Sequence, residues 1–181
     1  NLPVEGDYNF VEGDVTKINL LEIFEGADVV IHLAAITDAA GSFAISEQVE
    51  SNNLESTKKV ADTCVRVGAR MIMVSSTSVY GTSTKMVDES TPAKDLQPQS
   101  PYASTKLKEE DYVLLMCEEN GLKAVVCRFG TIFGVSPGIR FHTAVNKFCW
   151  QAAFSQPITV WLTAYNQFRP YLDLKDACAA I

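Results

Sequence analysis

The sequence predicts an α/β domain built as a doubly wound parallel sheet. Two observations carry this. Short apolar runs of strand length alternate with amphipathic stretches of helical length along the chain. The clearest run, Asp28 to Ala35 (DVVIHLAA), is continuous rather than alternating, as in a strand buried on both faces. Such alternation makes βαβ units, with helices on both faces of a parallel sheet.

The elements follow in order. Asn9-Phe10-Val11 reads as a short strand, and Ile18 to Phe24 carries apolar residues at helical spacing. After the strand at Asp28 to Ala35 comes a long amphipathic helix, Ser46 to Val67. Its stripe is Val49, Asn53, Val60, Cys64 and Val67, and Gly68 stops it. Arg70 to Ser75 is a second buried strand. A polar loop with Gly81, Pro92 and Pro98 follows, and the stretch from Ser83 to Gln99 is the candidate for a lip over a site. A helix from Ser100 to Asn120, closed by Gly121, leads to a third strand, Leu122 to Arg128. Asp173 to Ile181 reads as a helix cut in mid-course, and no capped start precedes Leu2-Pro3, so both ends are expected to be truncated.

Composition narrows the class. At 181 residues the chain suffices for one domain with a sizeable core, not two ordinary ones. With 47% apolar and 20% charged residues it is globular rather than disordered. A net charge of −7 offers no basic field for nucleic acid or an anionic membrane, and no apolar run reaches membrane-spanning length. The five cysteines are scattered and never in a C-x-x-C pair. Cys64, Cys117 and Cys127 fall in element interiors, which points to free thiols and a cytoplasmic location. His32 lies in a buried strand and His142 in a predicted helix, with no ligand spacing between them, so no metal site is expected. Trp150 and Trp161 are expected to pack, and Glu109-Glu110-Asp111 and Glu118-Glu119 to form a solvated helix face. Phe129 and Phe133 could flank a planar ligand or pack in a core.

In open parallel sheets ligands bind at the carboxyl ends of the strands, so the loops after Ala35, Ser75 and Arg128 matter most. Two groups of residues there carry chemistry. Tyr102 and Lys106 form Y-x-x-x-K near the start of a helix, one turn apart on one face. A free tyrosine is a poor base at neutral pH, and a neighbouring ammonium favours its phenolate. Ser75-Ser76-Thr77 ends the strand before, where Ser76 could hold a substrate hydroxyl or merely cap a turn.

Together with these, a series of motifs in chain order resembles the extended short-chain dehydrogenase/reductases, the NAD-dependent epimerase/dehydratase group acting on nucleotide sugars. The resemblance implies a Rossmann-type fold. GDVT (Gly13 to Thr16) is similar to the segment whose Asp14 and Val15 would contact adenine. HLAA (His32 to Ala35) is similar to the motif whose Leu33, Ala34 and Ala35 would let the backbone approach the dinucleotide. Asn53 in NNLEST matches the family's helix asparagine on the cofactor side. VSSTSVYG (Val74 to Gly81) places the catalytic hydroxyl at Ser76, beside Ser75. YASTK implies Tyr102 as base and Lys106 as the group that also holds the nicotinamide ribose. RFGTIFG (Arg128 to Gly134) puts Phe129 near the nicotinamide and Thr131 at the substrate. FRPYLDLKDA (Phe168 to Ala177) implies that Arg169 binds the sugar-nucleotide diphosphate.

The sequence also departs from the family pattern. It contains no G-x-x-G-x-x-G, Ser56 stands for a glycine and Thr131 for an asparagine. Thr77 and Ser78 stand where sugar 4,6-dehydratases carry an acidic pair, which disfavours elimination. The resemblance therefore implies a nucleotide-sugar epimerase working by transient hydride transfer. Tyr102 is its base, Lys106 depresses the tyrosine's pKa, and Ser76 holds the substrate hydroxyl. A one-way NAD(P)H carbonyl reductase and a non-catalytic dinucleotide sensor or scaffold are the alternatives. The implied cofactor is NAD, with NADP left open. The implied assembly is a homodimer through a four-helix bundle of Ser46–Val67 and Ser100–Asn120. Residues 1–135 would be a partial dinucleotide-binding domain, and 136–181 the start of a substrate-binding part interleaved with the last Rossmann elements.

Overall fold

The computed structural model describes residues 8–37, 41–82, 86–162 and 165–181. They fall into two compact units. One is Val11–Arg128; the other takes Phe129–Ile181 and the described part of Asn1–Phe10.

The first unit is built on α1 (Leu20–Ile23), β1 (Val29–His32), α2 (Ser46–Val67), β2 (Arg70–Ser76), α3 (Pro101–Asn120) and β3 (Ala124–Phe129, whose last residue is counted with the second unit). Short 3-10 turns lie at Gly41–Phe43, Thr77–Tyr80 and Ala93–Asp95. β1 and β2 pair in parallel, with Val30 opposite Met71 and His32 opposite Met73, and β3 adds on the far side of β2. Gly68 (φ 75°) closes α2 in a left-handed cap, bonding the carbonyls of Cys64 and Val65. Ser100 caps α3, its Oγ accepting from the Ala103 amide at 3.1 Å, and Pro101 occupies the first turn where a missing N–H costs nothing.

Strand alternation decides where the core sits. Val30 and His32 of β1 and Met71, Met73 and Ser75 of β2 are buried. With Val60, Ala61 and Cys64 of α2 and Val113 of α3, the apolar members of this set form one cluster. The intervening residues Val29, Ile31 and Leu33 are 38%, 47% and 61% exposed. The expectation that Asp28 to Ala35 is buried on both faces is thus corrected: β1 is four residues long with an alternating pattern. Asn9-Phe10-Val11 is not a strand either; Phe10 and Val11 are exposed and the segment has no ladder partner among the described residues. Burial pushes the Cys64 thiol up to about 11, the behaviour of an inert core thiol.

The second unit pairs β4 (Thr131–Phe133) with β5 (Tyr171–Asp173) in parallel and adds α4 (Ala144–Ala153) and α5 (Leu174–Ala180). Asp173 caps α5, accepting from the Lys175 amide at 2.8 Å, so the late helix is where the sequence places it. His142 lies in a turn before α4 rather than in a helix. Trp150 and Trp161 are 44% and 78% exposed rather than packed, the Trp150 ring lying tilted to that of Phe154 at a centroid distance of 5.5 Å.

Residues 86–99 of the proposed lip are irregular apart from the turn at Ala93–Asp95, and 83–85 lie outside the described residues, as does Leu2-Pro3. Gly81 fixes where this segment starts. Its φ is 73°, and a Cβ there would stand 2.2 Å from the Gln97 carbonyl oxygen, so the backbone approach admits no side chain.

Candidate active site

Tyr102 sits in the first turn of α3, half-buried, and its amide donates to Ser42 Oγ at 3.3 Å, which ties the helix start to the turn at Gly41–Phe43. Lys106 follows one turn later and is only 3% exposed. Its Nζ stands 6.0 Å from the centre of the Tyr102 ring, so the two share a face as the spacing predicts.

That ammonium has a partner the sequence reading did not foresee. Lys106 Nζ donates to Glu109 Oε2 at 2.9 Å, with the lysine side chain 4% exposed and the glutamate 0%. Thr57 Oγ1 of α2 donates to the same oxygen at 2.8 Å. Its single proton is spent there, so the hydroxyl accepts from His32 Nε2 of β1, 3.0 Å away. A hydrogen-bonded chain thus runs from β1 through α2 to α3. Glu109 Oε1, by contrast, is buried with no partner among the described residues. Burial first, and the Lys106 charge second, hold His32 down at about 4.

Glu110 makes a second buried cluster. Arg128 Nε lies 3.1 and 3.0 Å from its two oxygens and Nη2 lies 2.6 Å from Oε2, while Nη1 donates to the Tyr80 hydroxyl at 3.0 Å. Ser75 Oγ donates to Glu110 Oε1. The Glu110 hydrogen bonds push the Arg128 guanidinium upward despite its partial desolvation. The solvated face expected for Glu109 and Glu110 is therefore corrected; Asp111, Glu118 and Glu119 are exposed as expected. Glu109 lies seven residues after Tyr102 and three after Lys106, and Glu110 four after Lys106. Their place on the lysine's side of the helix was the available signal.

Ser75 and Ser76 part company because a strand alternates. Ser75 is buried and donates to Glu110. Ser76 is half-buried at the strand end, where its Oγ accepts from the Ser78 amide at 3.2 Å and the Ser78 hydroxyl at 2.9 Å. Receiving two donors, the Ser76 hydroxyl keeps its own proton to give.

Asp14 accepts from the Thr16 amide and hydroxyl at 2.9 and 2.7 Å, and with Lys17 beside it these bonds hold its carboxyl at about 2. Val15 packs against the core, and Lys59 of α2 pins this turn through the Thr16 and Ile18 carbonyls. Leu33 and Ala34 are exposed beyond β1 and Ala35 half-buried. Asn53 is fully buried and clamps the Ile36 backbone, accepting from its N–H at 2.8 Å and donating to its carbonyl at 3.0 Å. It therefore shapes the loop after β1. Phe129, at the end of β3, is half-buried. Thr131 and Arg169 are exposed in the second unit, Thr131 bonding the Pro170 carbonyl through its amide and Arg169 bonding Gln167. Among the described residues no His, Cys, Asp and Glu side chains cluster to hold a metal ion, and no helix is long and apolar enough to cross a membrane.

The family model for the NAD dependent epimerase/dehydratase family matches residues 1–181. The chain belongs to that family. It is 28% identical over 185 residues to an uncharacterized UDP-glucose epimerase, YtcB, of Bacillus subtilis strain 168, covering 100% of this chain and 56% of the relative. It is 31% identical over 189 residues to dTDP-D-glucose 4,6-dehydratase of Dictyostelium discoideum, covering 97% of this chain and 43% of the relative. Among solved structures it matches UDP-glucuronic acid 4-epimerase of Bacillus cereus in complex with UDP-glucuronic acid and NAD. That match has a TM-score of 0.80 and 27% identity, covering 96% of this chain and 54% of the other. The chain thus spans about half the length of such relatives, and its parallel βαβ architecture is Rossmann-like. The epimerase/dehydratase family is one of NAD-dependent enzymes, and both chemistries occur among the relatives.

The buried histidine makes a pH prediction. His32 is neutral in the fold, with a folded value near 4 against an ordinary 6.5. The stability this contributes is complete above about pH 6.5 and is lost as pH falls toward 4, amounting to about 2 kcal/mol by pH 5. Urea unfolding of the full-length protein at pH 7 and pH 5 should show this loss, and His32→Gln should remove most of it. An equal loss in the variant would assign the pH dependence to other groups.

Proposed function

We propose that the full-length protein is an NAD-dependent epimerase of a nucleotide sugar, with Tyr102 as base, Ser76 holding the substrate hydroxyl and Lys106 supplying positive charge beside the tyrosine. The observation that carries this is the arrangement around Ser76. Its oxygen is satisfied by Ser78, so its proton is free for a substrate oxygen, and the residues after it are the hydroxyls of Thr77 and Ser78. Elimination needs a further acid and base at the sugar carbons, and this segment holds no carboxylate for either task.

The residues fit a dinucleotide in part. Beyond β1 the chain is open and lined by Ala34 and Ala35, its path set by the Asn53 clamp on Ile36. Lys106 and Tyr102 would hold the nicotinamide ribose, and Asp14 and Val15 the adenine end. Exposed Arg169 would meet the substrate diphosphate and Thr131 the sugar. The chemistry that NAD supplies when bound is reversible hydride acceptance. Tyr102 takes the hydroxyl proton outward and returns it on reversal, so one base serves both directions, as epimerisation requires. Lys106 favours the phenolate form that makes this possible at neutral pH.

In the full-length protein, Tyr102→Phe should lower turnover of a UDP-hexose to its epimer by roughly 10²–10⁴, with sugar-nucleotide affinity nearly unchanged. Product analysis separates the alternatives. A dehydrated or reduced product, or full activity in the variant, would contradict the proposal.

The same proposal includes a homodimer that packs α2 and α3 of two subunits into a four-helix bundle. Leu114 and Leu115 of α3, 52% and 44% exposed, support it, being apolar residues turned outward on one of those helices. Light scattering of the full-length protein should give twice the subunit mass, and a strict monomer at high concentration would remove the dimer. Five free cysteines among the described residues favour the cytoplasm, where thiols stay reduced.

A further inference from the structure

A buried carboxylate stands against the one cation that the proposed chemistry needs. Tyr102, Lys106 and Glu109 lie in that order along one face of α3, with the ammonium 6.0 Å from the tyrosine ring centre and 2.9 Å from Glu109 Oε2. We propose that Glu109 is a positioning residue that holds Lys106 and partly cancels its field at Tyr102, setting the pH at which the tyrosine works as a base. The proposal rests on the functional reading above.

The geometry makes Glu109 more than a packing residue. Both of its donors, Lys106 Nζ and Thr57 Oγ1, go to Oε2, and Oε1 is buried with no partner among the described residues. A carboxylate half satisfied in this way is costly as framework, since a buried acceptor without a donor is a net loss. Its charge, however, is screened little and acts on whatever shares its face.

Other charges around the site do not substitute for it. His32 of β1, linked through Thr57 of α2, is neutral above about pH 4. Arg128 of β3 is matched by Glu110, with Tyr80 of the turn at Thr77–Tyr80 on its remaining nitrogen. On α2, Glu50 is paired with Lys108, and Asp62 and Lys58 are engaged with Tyr112. β2 contributes the uncharged Ser75 and Ser76, and the turn at Gly41–Phe43 contributes Ser42.

The magnitude follows from Coulomb's law. At an effective dielectric near 20, a unit charge about 6 Å away moves a titration by about two pH units. The Glu109 oxygen, 2.9 Å from the ammonium and therefore at most about 9 Å from the ring centre, returns at least about one of them.

The test uses the full-length protein and two readouts. In Glu109→Gln, the rising limb of kcat/KM against pH should move to lower pH by roughly one unit. In an ultraviolet titration without substrate, the tyrosinate transition that disappears in Tyr102→Phe should move the same way by the same amount. Titrations unmoved within about 0.2 units, against the one-unit shift expected, would overturn the inference. Glu109→Ala, which leaves a small cavity instead of a buried amide, replaces the first variant if that does not fold. Failure of both to fold would also overturn it, because Glu109 would then be framework. The ultraviolet titration needs no turnover. A shifted titration in a protein that does not epimerise keeps this inference and removes the functional reading, and an active enzyme with an unmoved titration does the reverse.

Discussion

The position of α3 depends on a carboxylate that its sequence buries, Glu110, with Glu109 buried beside it. Glu109 and Glu110 are 0% and 2% exposed, and each is matched by a cation, Lys106 on the same helix and Arg128 from β3. Burying a charge is tolerable only when it is paired and hydrogen-bonded. The Glu110–Arg128 pair, which joins α3 to β3, therefore restricts how the helix can lie. Glu110 must face Arg128 and Ser75, which sets α3 over β2 and β3. Glu109, beside it, accepts from the Thr57 hydroxyl of α2. Tyr102 and Lys106 inherit their place from these constraints, since one rigid helix carries all four residues.

Apolar packing alone would leave more freedom. The cluster beneath the helices uses Met71, Met73, Val60, Cys64 and Val113, side chains that tolerate sliding better than a bidentate ion pair does. The polar groups add direction to that cluster: Asn53 ties α2 to the loop after β1, and Ser42 ties the start of α3 to a turn. A similar contrast appears between neighbouring serines, Ser75 buried against Glu110 and Ser76 at the strand end accepting from Ser78.

Much of this was legible in the sequence. The bounds of α2 are those that its stripe and Gly68 predict, and α3 starts one residue after the Ser100 cap. Lys106 stacks toward Tyr102 as a spacing of four requires. The misses share a cause: sequence pattern reports the chemistry of a side chain but not its partner. Glu109 and Glu110 look like solvated residues because glutamates usually are, and only the approach of Thr57 and Arg128, 52 and 18 residues away along the chain, makes them internal. The apolar run of β1 suggested two covered faces, yet Ile31 is 47% exposed, since hydrophobicity cannot say what lies on the other side. Exposed Trp161 is the same lesson in the second unit.

The claim that buried ion pairing sets α3 is tested most directly at Glu110 and Arg128, by equilibrium unfolding of the full-length protein in a double-mutant cycle. Glu110→Gln or Arg128→Met alone should each cost about 3–5 kcal/mol, because each leaves the other charge buried and unmatched. The double variant should cost far less than the sum, giving a coupling energy of at least about 2 kcal/mol. Single costs that add to within about 0.5 kcal/mol would show that the two groups do not act as a pair, and would contradict the account.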